Sequence, residues 1–302
     1  MYKRQGTTTE PNGTRLSPAF EGDLIEAALS LSATSDTAAF FGNYGLTDRW
    51  DVGIVVPVVR IDLDASVQAT IIRLATAAIP QIHTFEAGNP NATQKTFQES
   101  ASATGLGDVV MRTKYRFMSF PGGGLAGAVD FRLPTGSKEK LLGAGGQVKM
   151  MIIASGEAGR LIPHVNVGYT AASGKLGTTG LLAELGGGGS VPDELNYTTG
   201  VEFVAHPRLT VIGDFVGRTL RGAGRLDVIS KTFTYQGATA VESTTFNEFE
   251  RRGGNLSLAL GTVGFKFNPA GDFLISGNVL FPITESGLRS KLTTVIGIDY
   301  AF

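Results

Sequence analysis

Arg112, Lys114 and Arg116 stand two residues apart, and so do Asp130 and Arg132 further along. Alternate side chains of a β-strand share one face. The first three therefore make a basic ladder, and the next two bring both signs to the same kind of face. Asp108, His164, Glu202, Asp214 and Arg218 hold the polar parity in other alternating runs. Charges gathered on an enclosed face do one of two things. They pair across strands and stiffen the interior, or they line a path that selects anionic or polar aromatic solutes. These ten residues are the candidate lining.

Catalytic chemistry has little to work with. There are three histidines, His83, His164 and His206. His206 precedes Pro207 in a short turn and His83 falls in a long connection. His164 alone sits in a strand pattern, on the polar face. A lipid hydrolase built on a membrane barrel needs a Ser–His pair on the lipid-facing surface, and His164 has the opposite parity, so no catalytic residue is named. The glycine runs Gly122–Gly124 and Gly186–Gly189 lack the Lys-Ser/Thr ending of a phosphate loop and read as turn and loop. Cysteine is absent, and no spacing of metal ligands occurs. No metal and no cofactor are expected; calcium in the loops 134–145 or 183–196 stays open.

The elements that must position these groups are strands. Trp50, Val52, Ile54 and Val56 alternate with Asp51 and Gly53; Leu125 to Leu133 alternate with Asp130 and Arg132; Tyr197 to Phe203 alternate with Asn196 and Glu202. The same pattern recurs at 25–31, 109–117, 164–169, 209–218 and 273–281, with further strands near 36–44, 146–156 and 254–267. It closes the chain, where Ile296, Ile298, Tyr300 and Phe302 oppose Gly297 and Asp299. About twelve strands result, within one domain over 24–302.

Connection lengths choose among β architectures. Gly45–Arg49, Ser119–Gly123, Gly156–Arg160, His206–Arg208 and Asn268–Gly271 are short. The alternate connections, 63–106, 134–145, 171–193 and 221–253, are long; only 33–35 and 283–289 in that set are brief. Short turns at one end and long loops at the other mark an up-and-down outer-membrane β-barrel. The predicted fold is therefore all-β, a transmembrane antiparallel barrel with its oily face toward the bilayer. Tyr44, Trp50, Tyr115 and Phe117 fall at strand ends beside short turns, and Tyr169 and Tyr197 at the opposite ends. That is the placing of an aromatic girdle. Two loop segments have their own pattern. Residues 65–79 carry a helical stripe, Val67, Ile71, Leu74, Ala75 and Ala78, with Asp64 as cap and Pro80 as stop. Leu226–Tyr235 and Ala238–Phe246 read as a hairpin, which raises the count to fourteen if it joins the wall.

Bulk composition agrees. With 26 Lys+Arg against 27 Asp+Glu, the chain lacks the basic excess of a nucleic-acid binder. Charged residues are 18%, below the usual quarter, and no apolar run reaches the length of a membrane helix. Residues 1–23 read as an extension. Met1–Gln5 looks like a translated sequencing-adapter scar, so the natural start and its signal peptide are expected to be missing.

Four stretches carry a resemblance: "YGLTDRWDVGIVVPV" at Tyr44–Val58, "GLGDVVMRTKYRF" at Gly105–Phe117, "FRLPTGS" at Phe131–Ser137 and "HVNVGY" at His164–Tyr169. Together they resemble the outer-membrane family named for the meta-pathway of phenol degradation, itself distantly similar to long-chain fatty-acid transporters. The resemblance implies a Gram-negative outer-membrane transporter for hydrophobic or aromatic compounds, and a terminal strand ending on Phe302 that the outer-membrane assembly machinery reads. The expected partners are the lipid bilayer, that machinery and a small solute, with no nucleic acid. The alternatives are a plugged structural or adhesive barrel and, as a minor one, an outer-membrane lipase.

Overall fold

The computed structural model describes residues 3–4, 24–72, 83–176, 189–236, 241–285 and 290–301. The described residues are all-β, and every strand pairing among them is antiparallel. The strands longer than two residues are β1 (Leu24–Thr47), β2 (Trp50–Ile72), β3 (Gln94–Leu106), β4 (Val110–Phe120), β5 (Gly123–Arg132), β6 (Gly146–Gly156) and β7 (Leu161–Ser173). After them come β8 (Glu194–His206), β9 (Leu209–Leu220), β10 (Arg225–Gln236), β11 (Val241–Arg252), β12 (Leu256–Ala270), β13 (Phe273–Pro282) and β14 (Thr293–Tyr300).

The chain divides into two compact units. The larger contains Asp36–Arg60, Thr104–Arg225 and Gly253–Phe302. Its strands neighbour one another in the order β1-β2-β4-β5-β6-β7-β8-β9-β12-β13-β14, an up-and-down sheet of the β-barrel class. Tight turns join them at one end. Gly122 and Gly271 turn with φ of 75° and 55°, a left-handed conformation that glycine adopts without a Cβ clash. Thr47 Oγ1 accepts the backbone N–H groups of Arg49 and Trp50, which fixes the β1–β2 turn. The terminal strand β14 hydrogen-bonds to β13 from Phe273↔Tyr300 to Leu280↔Thr293. No pairing of β14 with β1 is present among the described residues, and Lys3–Arg4 pairs with the start of β1. Phe302 lies outside the described residues.

The smaller unit contains Met1–Ser35, Ile61–Ala103 and Leu226–Arg252. Here two expectations fail. The stretch 65–72 is strand, the far part of β2, and not the start of a helix; 73–82 lie outside the described residues. Val67, Ala69 and Ile71 share one face at a period of two, and Ala69 and Ile71 are buried. The segment Val67, Thr70, Ile71, Ile72 is also β-branched, which favours strand. The long connection 63–106 is likewise not a loop throughout, because β3 occupies Gln94–Leu106 and pairs with β2. Ser100 Oγ donates to Asp64 Oδ1 at 2.7 Å, and Phe85 and Phe97 meet edge-to-face at 6.4 Å.

A third correction concerns 33–35, expected as a brief link. It lies inside β1, a single strand of 24 residues; no glycine or proline interrupts Leu31–Ala39. The expected hairpin does form from β10 and β11, with Lys231–Glu248 at 3.0 Å and Thr232–Thr245 hydroxyls at 3.0 Å. It makes a sheet of its own, which removes the fourteen-strand alternative.

Candidate functional site

Polarity in the larger unit is inverted relative to a water-soluble sheet. Outward positions carry large apolar side chains open to the surroundings: Met150 is 63% exposed, Ile152 61% and Ile298 63%. Met111, Phe131, Val165, Val201, Val211, Val263 and Val279 share this exposed face. The opposite face holds the charges, and Asp130 is only 8% exposed. Small residues, Ala126 and Ala128, are buried between them.

Register explains how the charges meet. Arg112 on β4 lies directly opposite Asp130 on β5, and its guanidinium donates two bonds, Nε to Oδ1 at 2.6 Å and Nη2 to Oδ2 at 2.7 Å. Such a fork is the strongest form of ion pair. Asp51 on β2 lies opposite Lys114, with 3.0 Å between Oδ2 and Nζ. Two further pairs reach across a whole strand. His164 on β7 and Asp214 on β9 both sit opposite Gly200 of the intervening β8, and their side chains meet at 3.0 Å. A Cβ at Gly200 would overlap Asp214. Glu202 on β8 accepts from Lys266 on β12 at 2.7 Å, past β9. Ser155 faces His164 in register, but no hydroxyl is hydrogen-bonded to that imidazole among the described residues.

The remaining candidates go elsewhere. Arg116 donates to the Asp48 carbonyl at 2.8 Å, at the short-turn end. Arg132 is exposed at the loop end of β5. Asp108 does not face an open space. It is buried and accepts the backbone N–H groups of Gly136 (3.0 Å), Ala144 (2.7 Å) and Gly145 (3.1 Å). Thr135 completes the clasp, donating to the Gly107 carbonyl and accepting from the Val109 N–H. Asp108 therefore holds the loop 134–145 against the β3–β4 link.

The girdle residues are placed at both ends. Trp50 and Tyr115 are register partners beside the short turns, exposed with Tyr44 and Phe117, and Trp50 Nε1 donates to Thr113 at 2.7 Å. Tyr197 stacks on Phe215 over Gly217, with ring centroids 6.0 Å apart. At the loop end Tyr169 donates its hydroxyl to Asp193 Oδ2 at 2.7 Å, and the Ala172 N–H donates to Oδ1 at 3.0 Å. Those two donors, the backbone one foremost, hold the Asp193 carboxyl below its ordinary pKa.

Two cavities open on the polar face. One, about 510 Å³, lies at the short-turn end among Arg49, Asp51, Lys114, Arg116 and Glu157. The other, about 320 Å³, lies toward the loops and is lined by Lys149, Arg218, Asn196, Thr198, Val216, Leu258, Leu260 and Leu280. Lys149 and Lys266 are absent from the sequence-derived set. Lys149 is flanked by Met150 and Met151, so β6 shows no clean alternation. Lys266 between Phe265 and Phe267 does alternate, and parity alone places it on the polar face.

No protein-family model matches the chain, and no curated protein matches it.

Proposed function

We propose that this chain is an outer-membrane barrel that passes small hydrophobic or aromatic solutes along its polar face. One observation carries the reading: the larger unit exposes its large apolar side chains on one face and gathers its charges, largely as cross-strand pairs, on the other. Water would penalise the first choice, since contiguous exposed apolar patches beyond a few hundred Å² are rare on soluble monomers. Lipid tails reverse the sign. Strand length supports the same conclusion. β4, β5, β6 and β9 have 11, 10, 11 and 12 residues, against the roughly 9–11 that cross a bilayer when tilted. The segments Tyr44–Val58 and Gly105–Phe117 add the resemblance to the phenol meta-pathway family. The membrane reading also requires β14 to close onto β1, because an open edge in hydrocarbon leaves backbone groups unpaired at several kcal/mol each.

The test is purification and conductance. The chain is expected to need detergent and to open steady conductance steps in a planar bilayer. A monodisperse species in plain buffer would overturn the membrane reading. A second reading, a plugged structural barrel, is favoured by the bridging pairs Arg112–Asp130, His164–Asp214 and Glu202–Lys266. A folded, inserted chain without conductance would select it.

A further inference from the structure

We infer that the 320 Å³ cavity at the loop end is a binding subsite for a monoanionic compound with an apolar body, held by Lys149 and Arg218. The inference deepens the transport reading and rests on it for solute access.

Charge balance is the first ground. Lys149 and Arg218 are the charged groups lining the cavity, and no carboxylate lines it. Lys149 makes no hydrogen bond or ion pair among the described residues. Its register partner Asp130 is already engaged by both arms of the Arg112 fork. Arg218 is only loosely matched, 3.8 Å from Glu194, and more than half exposed. A half-desolvated ammonium without a partner is unfavourable, and an incoming anion removes that cost.

Placement is the second ground. The Lys149 stem passes beside Gly168 of β7, with Cε 3.4 Å from where a Cβ would stand. From β6 it reaches the cavity that it shares with Asn196, on β8. Asn196 is itself fixed, donating to Thr170 at 2.8 Å. Arg218 is the register neighbour of Asn196 on the next strand. The cations therefore approach from either side, from β6 and from β9, with an oriented amide on β8 between.

Most of the remaining wall is apolar, with Val216, Leu258, Leu260, Leu280 and Pro282, while Thr198, Thr284, Ser290 and Thr293 add hydroxyls. A small inorganic anion would leave that wall wetted, and a neutral ring would leave the ammonium unpaired. A carboxylate on a six-carbon ring or chain satisfies both. The volume lies at the lower end of the about 300–1,000 Å³ of small-molecule sites.

Calorimetric titration of the full chain folded in detergent micelles tests this, with benzoate as probe, benzyl alcohol as the neutral ring and acetate as the bare anion. Benzoate is expected to bind about tenfold or more tightly than either. Lys149→Met and Arg218→Gln should each weaken benzoate by about tenfold and leave benzyl alcohol unchanged. Lys149→Arg, which keeps the charge, should retain most of the affinity and guards against a misfolded Lys149→Met. Equal binding of benzoate and benzyl alcohol overturns the subsite, as does benzoate binding indifferent to both charge removals. Conductance is read separately. Benzoate binding without conductance sinks transport and leaves the subsite standing; conductance without benzoate binding does the reverse.

Discussion

Two groups of strands on one polar face use charge differently. Along β4, Lys114 lies opposite Asp51 and Arg112 opposite Asp130, and each pair meets by register. Those groups are spent on each other. On β6 and β9, Lys149 stands beside an aspartate already taken, and Arg218 faces a glutamate at the limit of ion pairing. The strands are the same kind and the alternation is the same. What differs is whether a cation's cross-strand neighbour is free, and that decides between a brace and a binding group.

Both groups presuppose that the apolar face meets lipid, so the largest expected effect tests that premise. Arg in place of Val129, on the outward parity of β5, should cost about 2–4 kcal/mol in a folding titration in lipid. Arg in place of Val110, inward on β4, should cost clearly less. Equal costs would erase the distinction between the faces and the comparison with it.

Next comes the loop clasp. Asp108→Ala removes a buried carboxylate that accepts three backbone N–H groups, for an expected loss of about 2–3 kcal/mol. Proteolysis should then cut within 134–145 while the sheet stays resistant. An unchanged cleavage pattern would mean that the loop is held by something else.

The direct contrast between the paired Arg112 and the unpaired Lys149 is smaller. Asp130→Ala strands a half-exposed Arg112, and solvent screening trims the expected cost to about 1–2 kcal/mol. Lys149→Met removes an ammonium that has no partner, so stability should hold within about 0.5 kcal/mol or rise. Parallel unfolding midpoints decide. If Lys149→Met proves as damaging as Asp130→Ala, the ammonium is part of the brace and not a binding group.

Parity made the sheet legible. Side-chain alternation has a period of two whatever the tertiary context, so Arg112, Lys114, Asp130, Glu202 and Asp214 could be set on one face before any pairing was known. The partners could not. Asp51 and Lys114 meet through a register between distant strands, and His164 reaches Asp214 only because Gly200 has no side chain. Asp108 has the right parity yet turns into a clasp, because the β3–β4 link and the loop 134–145 form around it. The misread helix has a simple origin. Val67 and Ile71 are four apart, a spacing that fits both a helical turn and two steps of a strand, and β3 offered no apolar alternation to betray a pairing partner.

The smallest effect sharpens the loop end by pH. Asp193 lies in the connection before β8, and its carboxyl is held below its ordinary pKa by the Ala172 N–H first and the Tyr169 hydroxyl second. A depressed folded-state pKa contributes stability that is complete above the unfolded value, about 3.9, and is lost as pH falls through the folded value. The wild-type chain should therefore lose more stability than Asp193→Asn between pH 6 and pH 3, with Tyr169→Phe between the two. Asp193 is in a loop within reach of solvent, so the difference will be small and should shrink further with salt only where Arg221 contributes. Identical pH profiles for the three chains would show that the Tyr169–Asp193 contact orders the loop end without stabilising it. The positions of Lys149 and Arg218 would then owe nothing to that contact.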